Sequence, residues 1–145
     1  MEIQVGVKIF LSDRNGKFLL LKRNHLKYPD VKDFWDIPGG RIIPGTPLLD
    51  NLKRELLEET GLEFHGKPKL IFAQDIIIPN KKHVVRLTFK GNVGERKELK
   101  LDYEEHSDWG WFSIKEIVKI PEADRFVKEI TSLNVLEDVL HETEN

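Results

Sequence analysis

The stretch Gly40-Arg41-Ile42-Ile43-Pro44-Gly45-Thr46-Pro47-Leu48-Leu49-Asp50-Asn51-Leu52-Lys53-Arg54-Glu55-Leu56-Leu57-Glu58-Glu59-Thr60-Gly61-Leu62 decides how the rest of the chain is read. Its second half predicts a helix over 47–60. Thr46 is placed to cap that helix. Pro47 suits its first position, where a missing N–H would have had no partner anyway. Leu49, Leu52 and Leu56 recur at i, i+3 and i+7, which predicts one buried stripe. Gly61 is placed to end the helix in a left-handed turn.

The charges on this helix work against its stability. Glu55 lies i, i+3 from Glu58 and i, i+4 from Glu59, so all three carboxylates share a face. Like charges at those spacings cost roughly 0.2–0.5 kcal/mol per pair. Glu58 and Glu59 also sit in the last turn, at the negative end of the helix dipole, where each costs roughly 0.3–1 kcal/mol. Arg54, four residues before Glu58, offsets part of this. Two readings are open. One is a solvated acidic face, the usual account of clustered Glu. The other is a site whose dense negative charge holds a divalent cation. Carboxylate oxygens without thiols or clustered imidazoles select Mg²⁺ or Mn²⁺ over zinc.

Outward from the helix, residues 5–11 predict a strand, with Val5, Val7, Ile9 and Leu11 alternating with Gly6, Lys8 and Phe10. Asp13-Arg14-Asn15-Gly16 has the chemistry of a tight hairpin, and 18–21 returns as a second strand. Residues 24–33 are polar, contain Pro29 and read as a loop. The short apolar piece 34–37 is broken by Pro38-Gly39-Gly40. Beyond the helix, strands are predicted at 69–78 and 83–91, joined as a hairpin through 79–82. The charged stretch 95–108 reads as loop around a short extended piece. A last strand is predicted at 109–112 and a short helix at 113–117, with Ser113 and Glu116 as a capping box. A closing helix is predicted over 124–140.

The 145 residues carry no repeat, low-complexity tract or linker, so 1–145 reads as a single domain. Strands with interspersed helices predict an α+β arrangement, a mixed sheet covered by helices. Hydrophobic residues are 39%, enough for one modest core. The net charge of -2 supplies no polycationic footprint for nucleic acid or an anionic membrane. No apolar run approaches a membrane span, and Met1-Glu2-Ile3-Gln4 does not read as a signal peptide. With no Cys in the chain, disulfides and cysteine-ligated zinc are excluded. A cytoplasmic location is the expectation.

Several aromatic and basic residues invite two readings each. Tyr28, Phe34 and Trp35 could stack on a nucleobase, or pack in the core. Trp111 reads as core. His83 and Arg86 could touch a substrate, with a solvated strand face the stronger expectation. A loop histidine such as His106 is expected to be a surface residue, although an imidazole titrates where a general base should.

From Gly40 the chain passes five residues to Thr46, seven more to Arg54, and then Glu55, Leu56, Glu58, Glu59, Gly61 and Leu62 in order. This closely resembles the Nudix box of MutT-like hydrolases, G-x5-E-x7-R-E-U-x-E-E-x-G-U with U aliphatic. Eight of its nine defined positions match, within residues 40–62. The segment Trp111-Phe112-Ser113, followed by Glu116-Ile117, resembles a later part of the same domain.

The resemblance implies a Nudix αβα sandwich, a central mixed β-sheet flanked by helices. It implies a pyrophosphohydrolase that depends on Mg²⁺, with Mn²⁺ as the alternative. The bond cut would be a phosphoanhydride in a nucleoside diphosphate linked to another moiety, as in a nucleoside triphosphate or a nucleotide sugar. Glu55, Glu58 and Glu59 match the metal-binding carboxylates, Arg54 the arginine that orients them, and the Gly39 carbonyl a backbone ligand. Glu105 is the first choice for a further metal-binding and catalytic Glu from a later loop, and Glu104 the second. Arg23 resembles a phosphate-contacting arginine; Trp35 and Gly40 complete the expected substrate-binding set. Glu55, Glu105 and His106 all remain open as general base. The expected partner is a small nucleotide, with no nucleic acid and no membrane; many members are homodimers. Thr46 departs from the pattern, which has Glu there. That departure keeps an alternative open: a Nudix-like nucleotide-binding or regulatory module with weak or no catalysis.

Overall fold

A computed structural model of the protein describes residues 1–95 and 98–137. Its centre is β1, Ile3–Ser12, whose alternation sends Val7, Ile9 and Leu11 to one face and Phe10 to the other, all fully buried. A strand covered on both faces needs a layer on each side. One edge of β1 runs parallel to β6, Lys82–Val93, from Ile3 opposite His83 to Ser12 opposite Asn92. Its other edge is shared. Gly6, Val7 and Lys8 pair antiparallel with β4, Gly39–Arg41, while Ser12 pairs with Phe18 of β2, Phe18–Arg23. β2 extends the sheet to β3, Trp35–Asp36, and to β7, His106–Phe112. β5, Phe64–Ile78, pairs antiparallel with β6. Parallel and antiparallel pairs make the sheet mixed, as expected.

Helix α1, Leu48–Thr60, covers one face. Its Leu52 and Leu56 join Val7, Ile9, Leu11, Leu19 and Leu21 in one core, with Leu49 partly buried beside them. The other face carries α2, Ile114–Lys119, and α3, Arg125–Thr131, whose Ile117, Val127 and Ile130 pack on Phe10, Phe18 and Leu20. This is the αβα sandwich. The capping box is present as expected: the Glu116 N–H donates to Ser113 Oγ at 3.2 Å, and the Ser113 N–H to Glu116 Oε1 at 3.0 Å.

β5, β7 and the closing helix differ from expectation. β5 begins at Phe64, not at 69, because register irregularities between His65 and Phe72 break the period-two pattern on which strand reading depends. β7 begins at His106, not at 109. Its first residues are polar and held by backbone pairing to Lys22 and Arg23, which no side-chain pattern reveals. Trp35 pairs across the sheet and packs edge to face on Phe112, ring centroids 5.4 Å apart. The closing helix is short. Asp124 caps α3 by accepting from the Phe126 N–H at 2.8 Å and the Val127 N–H at 3.2 Å. The chain then leaves α3 for a 3₁₀ turn at Asn134–Leu136. Residues 138–140 of the expected helix lie outside the described residues.

Leu56 ties α1 to the sheet and is fully buried. Leu56→Ala is expected to cost about 2–5 kcal/mol, the range for emptying a packed leucine site. Urea unfolding followed by circular dichroism measures it; a loss under about 1 kcal/mol would mean that α1 does not depend on this contact.

Candidate active site

The site begins at the β4 turn. Gly39 has φ +140°, and a Cβ there would meet the β1 backbone, with Lys8 Cα at 2.7 Å. Only glycine fits. A Cβ on Gly40 would lie 2.7 Å from the Glu55 carboxylate. These two bare positions let α1 lay two carboxylates against the backbone. Glu59 Oε1 accepts the Gly39 N–H at 2.8 Å, and Glu55 sits over Gly40.

Arg54 divides itself among the carboxylates. Its Nη2 donates to Glu55 Oε1 at 3.0 Å, and its Nε lies 3.8 Å from Glu58 Oε1. The three glutamates differ in exposure. The Glu55 and Glu59 side chains are 20% and 14% exposed, and Glu58 is 63% exposed. Burial pushes the Glu59 carboxyl up to about 7, and the Glu55 charge adds to that, against the opposing pull of Lys8 and the Gly39 N–H. The helix ends at Gly61 with φ +72° and its N–H on the Leu57 carbonyl at 2.9 Å, as expected, and no basic residue stands in the last turn.

The Thr46 cap is a correction. Pro47 occupies the cap position in an extended conformation and has no side-chain acceptor, so no side chain caps α1. Thr46 lines neither cleft of the site.

Facing the glutamates is a cationic wall. The Lys8 ammonium lies 3.1 Å from Asp36 Oδ2 and donates to the carbonyls of Ile37 at 3.2 Å and Gly39 at 3.5 Å. Arg86 Nη2 donates to Asp36 Oδ1 at 3.0 Å, and Nη1 lies 3.7 Å from Asp124. Arg23 Nη2 is 3.9 Å from Asp36 Oδ2. Arg86 is therefore not on a solvated strand face; it is 4% exposed, because β6 is central in the sheet and α3 covers it. Burial works to raise the Asp36 carboxyl, but the Arg86 and Lys8 charges and their hydrogen bonds win, holding it well below the usual carboxylate range.

Loops complete the rim. Glu105 borders the clefts and pairs with the Lys27 ammonium and the Tyr28 hydroxyl, which hold its carboxyl below its ordinary value. Tyr28 thus engages a side chain at the rim. His106 is not a surface histidine: its side chain is 13% exposed, with Nε2 3.6 Å from Glu59 Oε2. Burial, then the Lys8 and Arg23 charges, push its imidazole down to about 4.

Two clefts share a wall made by Lys8, Arg23, Asp36, Gly39, Glu55 and Glu105. One, about 360 Å³, holds Glu58, Glu59 and His106. The other, about 560 Å³, runs over Gly40 to an apolar end at Ile76, Val84 and Phe126. The expected residues Arg23, Gly39, Gly40, Glu55, Glu58, Glu59 and Glu105 therefore meet in one place, with Arg54 behind them. Trp35 does not join them; it packs on Phe112 and lines neither cleft. Glu104 is exposed on the rim loop. Sequence reading overlooked Lys8 and Asp36. The signal was there: each is a charge alone in an apolar strand.

A family model described as the NUDIX domain matches residues 2–133. Among curated relatives, an RNA pyrophosphohydrolase from Bartonella bacilliformis is 26% identical over 79% of this chain and 80% of its own length. An m7GpppN-mRNA hydrolase, NUDT17, from Danio rerio is 44% identical over 41% of this chain, but only 20% of its own length is matched. Among solved structures, the MutT protein from Methanosarcina mazei Go1 superposes with a TM-score of 0.75 at 25% identity, over 90% of this chain and 91% of that one. The chain belongs to the NUDIX domain family. Its class is that of the Nudix pyrophosphohydrolases, hydrolases acting on acid anhydrides.

Nudix hydrolases generally use divalent cations. The donor set here suits one: carboxylate and carbonyl oxygens, no thiol, and a glutamate whose charge is disfavoured by burial. Among the described residues, no three His, Cys, Asp or Glu side chains converge into a ready cage. That is compatible with Mg²⁺, which keeps several waters and uses one or two carboxylates plus substrate phosphates.

Asp36 is the keystone of the cationic wall, so Asp36→Asn should destabilise the fold by about 3–5 kcal/mol, since Arg86 and Lys8 stay buried without their anion. The folded pKa of Asp36 is depressed, so its contribution is fully present above the unfolded value near ~4, declines as pH falls below that, and is gone only when pH falls through the much lower folded value. Urea midpoints at pH 7 and pH 3 check this. The gap between wild type and variant should be widest at pH 7 and smaller, though still present, at pH 3, where Asp36 remains ionised in the folded state; an equal gap at both contradicts the assignment.

Proposed function

We propose that this protein hydrolyses a phosphoanhydride bond in a small nucleotide, a nucleoside triphosphate or a nucleoside diphosphate linked to another moiety, with Mg²⁺ as cofactor and Mn²⁺ as the substitute. The observation that carries the reading is the opposition of charges across two adjoining clefts: Glu55, Glu58 and Glu59 of α1 share one with Lys8 and Arg23, and Glu55 shares the other with Lys8, Arg23 and Arg86. A polyphosphate needs both, cations of the protein for some of its oxygens and carboxylates to hold a metal for the rest. Glu55, Glu58, Glu59, the Gly39 carbonyl and Glu105 would hold the ion. When bound, a divalent ion supplies charge neutralisation at phosphate oxygens and a lowered pKa for water.

The chain's own groups account for the remainder. Lys8 and Arg23 are fixed by Asp36 and present positive charge to a phosphate without reorganising. Proton acceptors at hand are Glu55, Glu105 and His106. The apolar end at Ile76, Val84 and Phe126 suits the uncharged part of a nucleotide. The names of the relatives, a pyrophosphohydrolase and an mRNA hydrolase, agree with anhydride cleavage. A cytoplasmic setting and a homodimer are part of the same proposal. Among the described residues no helix is long and apolar enough to cross a membrane.

A panel of nucleoside triphosphates, nucleotide sugars and 5′-triphosphorylated RNA, incubated with Mg²⁺ in ¹⁸O-labelled water, tests this. Product identification shows which bond and which phosphorus. Turnover of a small nucleotide supports the reading, turnover confined to RNA replaces the substrate class, and binding without turnover of any member supports a binding module. Glu59→Gln keeps an acceptor for the Gly39 N–H, so the fold should survive. Metal-dependent turnover should fall at least ~100-fold, the scale for losing a charged catalytic group. Steady-state kinetics beside a thermal melt decides; unchanged turnover would remove Glu59 from the machinery.

A further inference from the structure

The family pattern places a carboxylate at position 46, and this chain has Thr46 there. Five residues on, Asn51 is completely buried in the first turn of α1. Its amide makes every hydrogen bond it can make. Oδ1 accepts the Ile43 N–H at 2.9 Å and Arg54 Nη1 at 2.7 Å. Nδ2 donates to the carbonyls of Thr46 at 2.9 Å and Pro47 at 2.8 Å. Two donors meet two acceptors at each end, so the amide has only one orientation that satisfies its partners. We propose that Asn51 is a positioning residue for the acidic site: it joins the 43–47 loop to Arg54 and so fixes the Arg54 grip on Glu55.

The chain of contacts is continuous. The loop N–H at Ile43 and the Arg54 guanidinium meet on one oxygen, and the other end of that guanidinium meets Glu55 Oε1 at 3.0 Å. Arg54 also reaches the Arg41 carbonyl at 3.3 Å, next to Gly40. Its fork is therefore held at both ends, and a planar guanidinium held at two points has little freedom left. An amide suits this place better than a carboxylate. Asp at 51 would turn oxygens toward the Thr46 and Pro47 carbonyls, leaving acceptors against acceptors. The amide is also neutral, so the Arg54 charge is spent on Glu55 and Glu58 alone.

This inference rests on the acidic face being a cation site, and its test separates the two. The probes are the Arg54 guanidinium resonance in ¹⁵N-labelled protein, assigned with Arg54→Lys, and Mn²⁺ affinity from the electron paramagnetic signal of free Mn²⁺. In wild type a slowly exchanging Arg54 resonance is expected. Asn51→Ala should lose it and bind Mn²⁺ about 10–100-fold more weakly, the scale for removing a group that orients a ligand. An Arg54 resonance and Mn²⁺ affinity unchanged by Asn51→Ala overturn the proposal. If Asn51→Ala does not fold, wild type decides alone: rapid exchange at both the Ile43 amide and the Arg54 guanidinium overturns it, and protection at both supports it. Failure of wild type to bind Mn²⁺ would sink the cation reading, while the Arg54 resonance still decides for or against Asn51.

Discussion

Two glutamates pressed against bare glycine backbone, one of them in the last turn of its helix, are the constraint around which this molecule is arranged. Glu55 sits over Gly40 and Glu59 on the Gly39 N–H, and at Glu59 the helix dipole, the neighbouring Glu55 charge and burial all oppose the negative charge. The arrangement holds because α1 is anchored elsewhere. Leu52 and Leu56 are fully buried against β1 and β2, and the helix cannot swing its acidic face into water without tearing that core open. The β4–β1 pairing then fixes the glycine turn at the height of the last two helical turns.

The opposite wall follows a complementary logic. Lys8 and Arg86 belong to neighbouring central strands; Arg86 is removed from bulk water and Lys8 is mostly so, which is costly for any cation. Asp36 offsets the cost by accepting from both, and Asp124 adds a second anion beside Arg86. Such a network contributes little to stability compared with an apolar core of the same size. What it provides is fixed charge. The cations in the cleft are already in place and need not reorganise when a polyanion arrives, which is the condition for strong electrostatic stabilisation.

Much of this was legible in the sequence, and the reasons are local. The α1 helix is written in a leucine stripe and ended by Gly61; the two-sided burial of β1 follows from Ile9, Phe10 and Leu11; the α2 start follows from Ser113 and Glu116. Each is decided within a few residues. The box-like spacing of Gly40, Arg54, Glu55, Glu58 and Glu59 marked the acidic half of the site and its family. The cationic half was legible only in part: Arg23 was expected to contact phosphate, and Lys8 and Asp36 each stand as a lone charge in an apolar stretch, but Asp36 and Arg86 are fifty residues apart and meet only through the strand order. Trp35 was misplaced for a related reason, since only the sheet decides whether an aromatic residue faces a cleft or Phe112. The Thr46 cap failed one residue away, at Pro47. The irregular start of β5 broke the alternation that would have announced it.

The central claim is that the acidic face of α1 is a divalent-cation site. The most direct measurement is the anomalous scattering of crystals soaked in Mn²⁺. The account predicts a peak bounded by Glu55, Glu58 and Glu59 beside the Gly39 carbonyl. Full Mn²⁺ saturation with no peak there, or with peaks only at surface carboxylates away from α1, would contradict it.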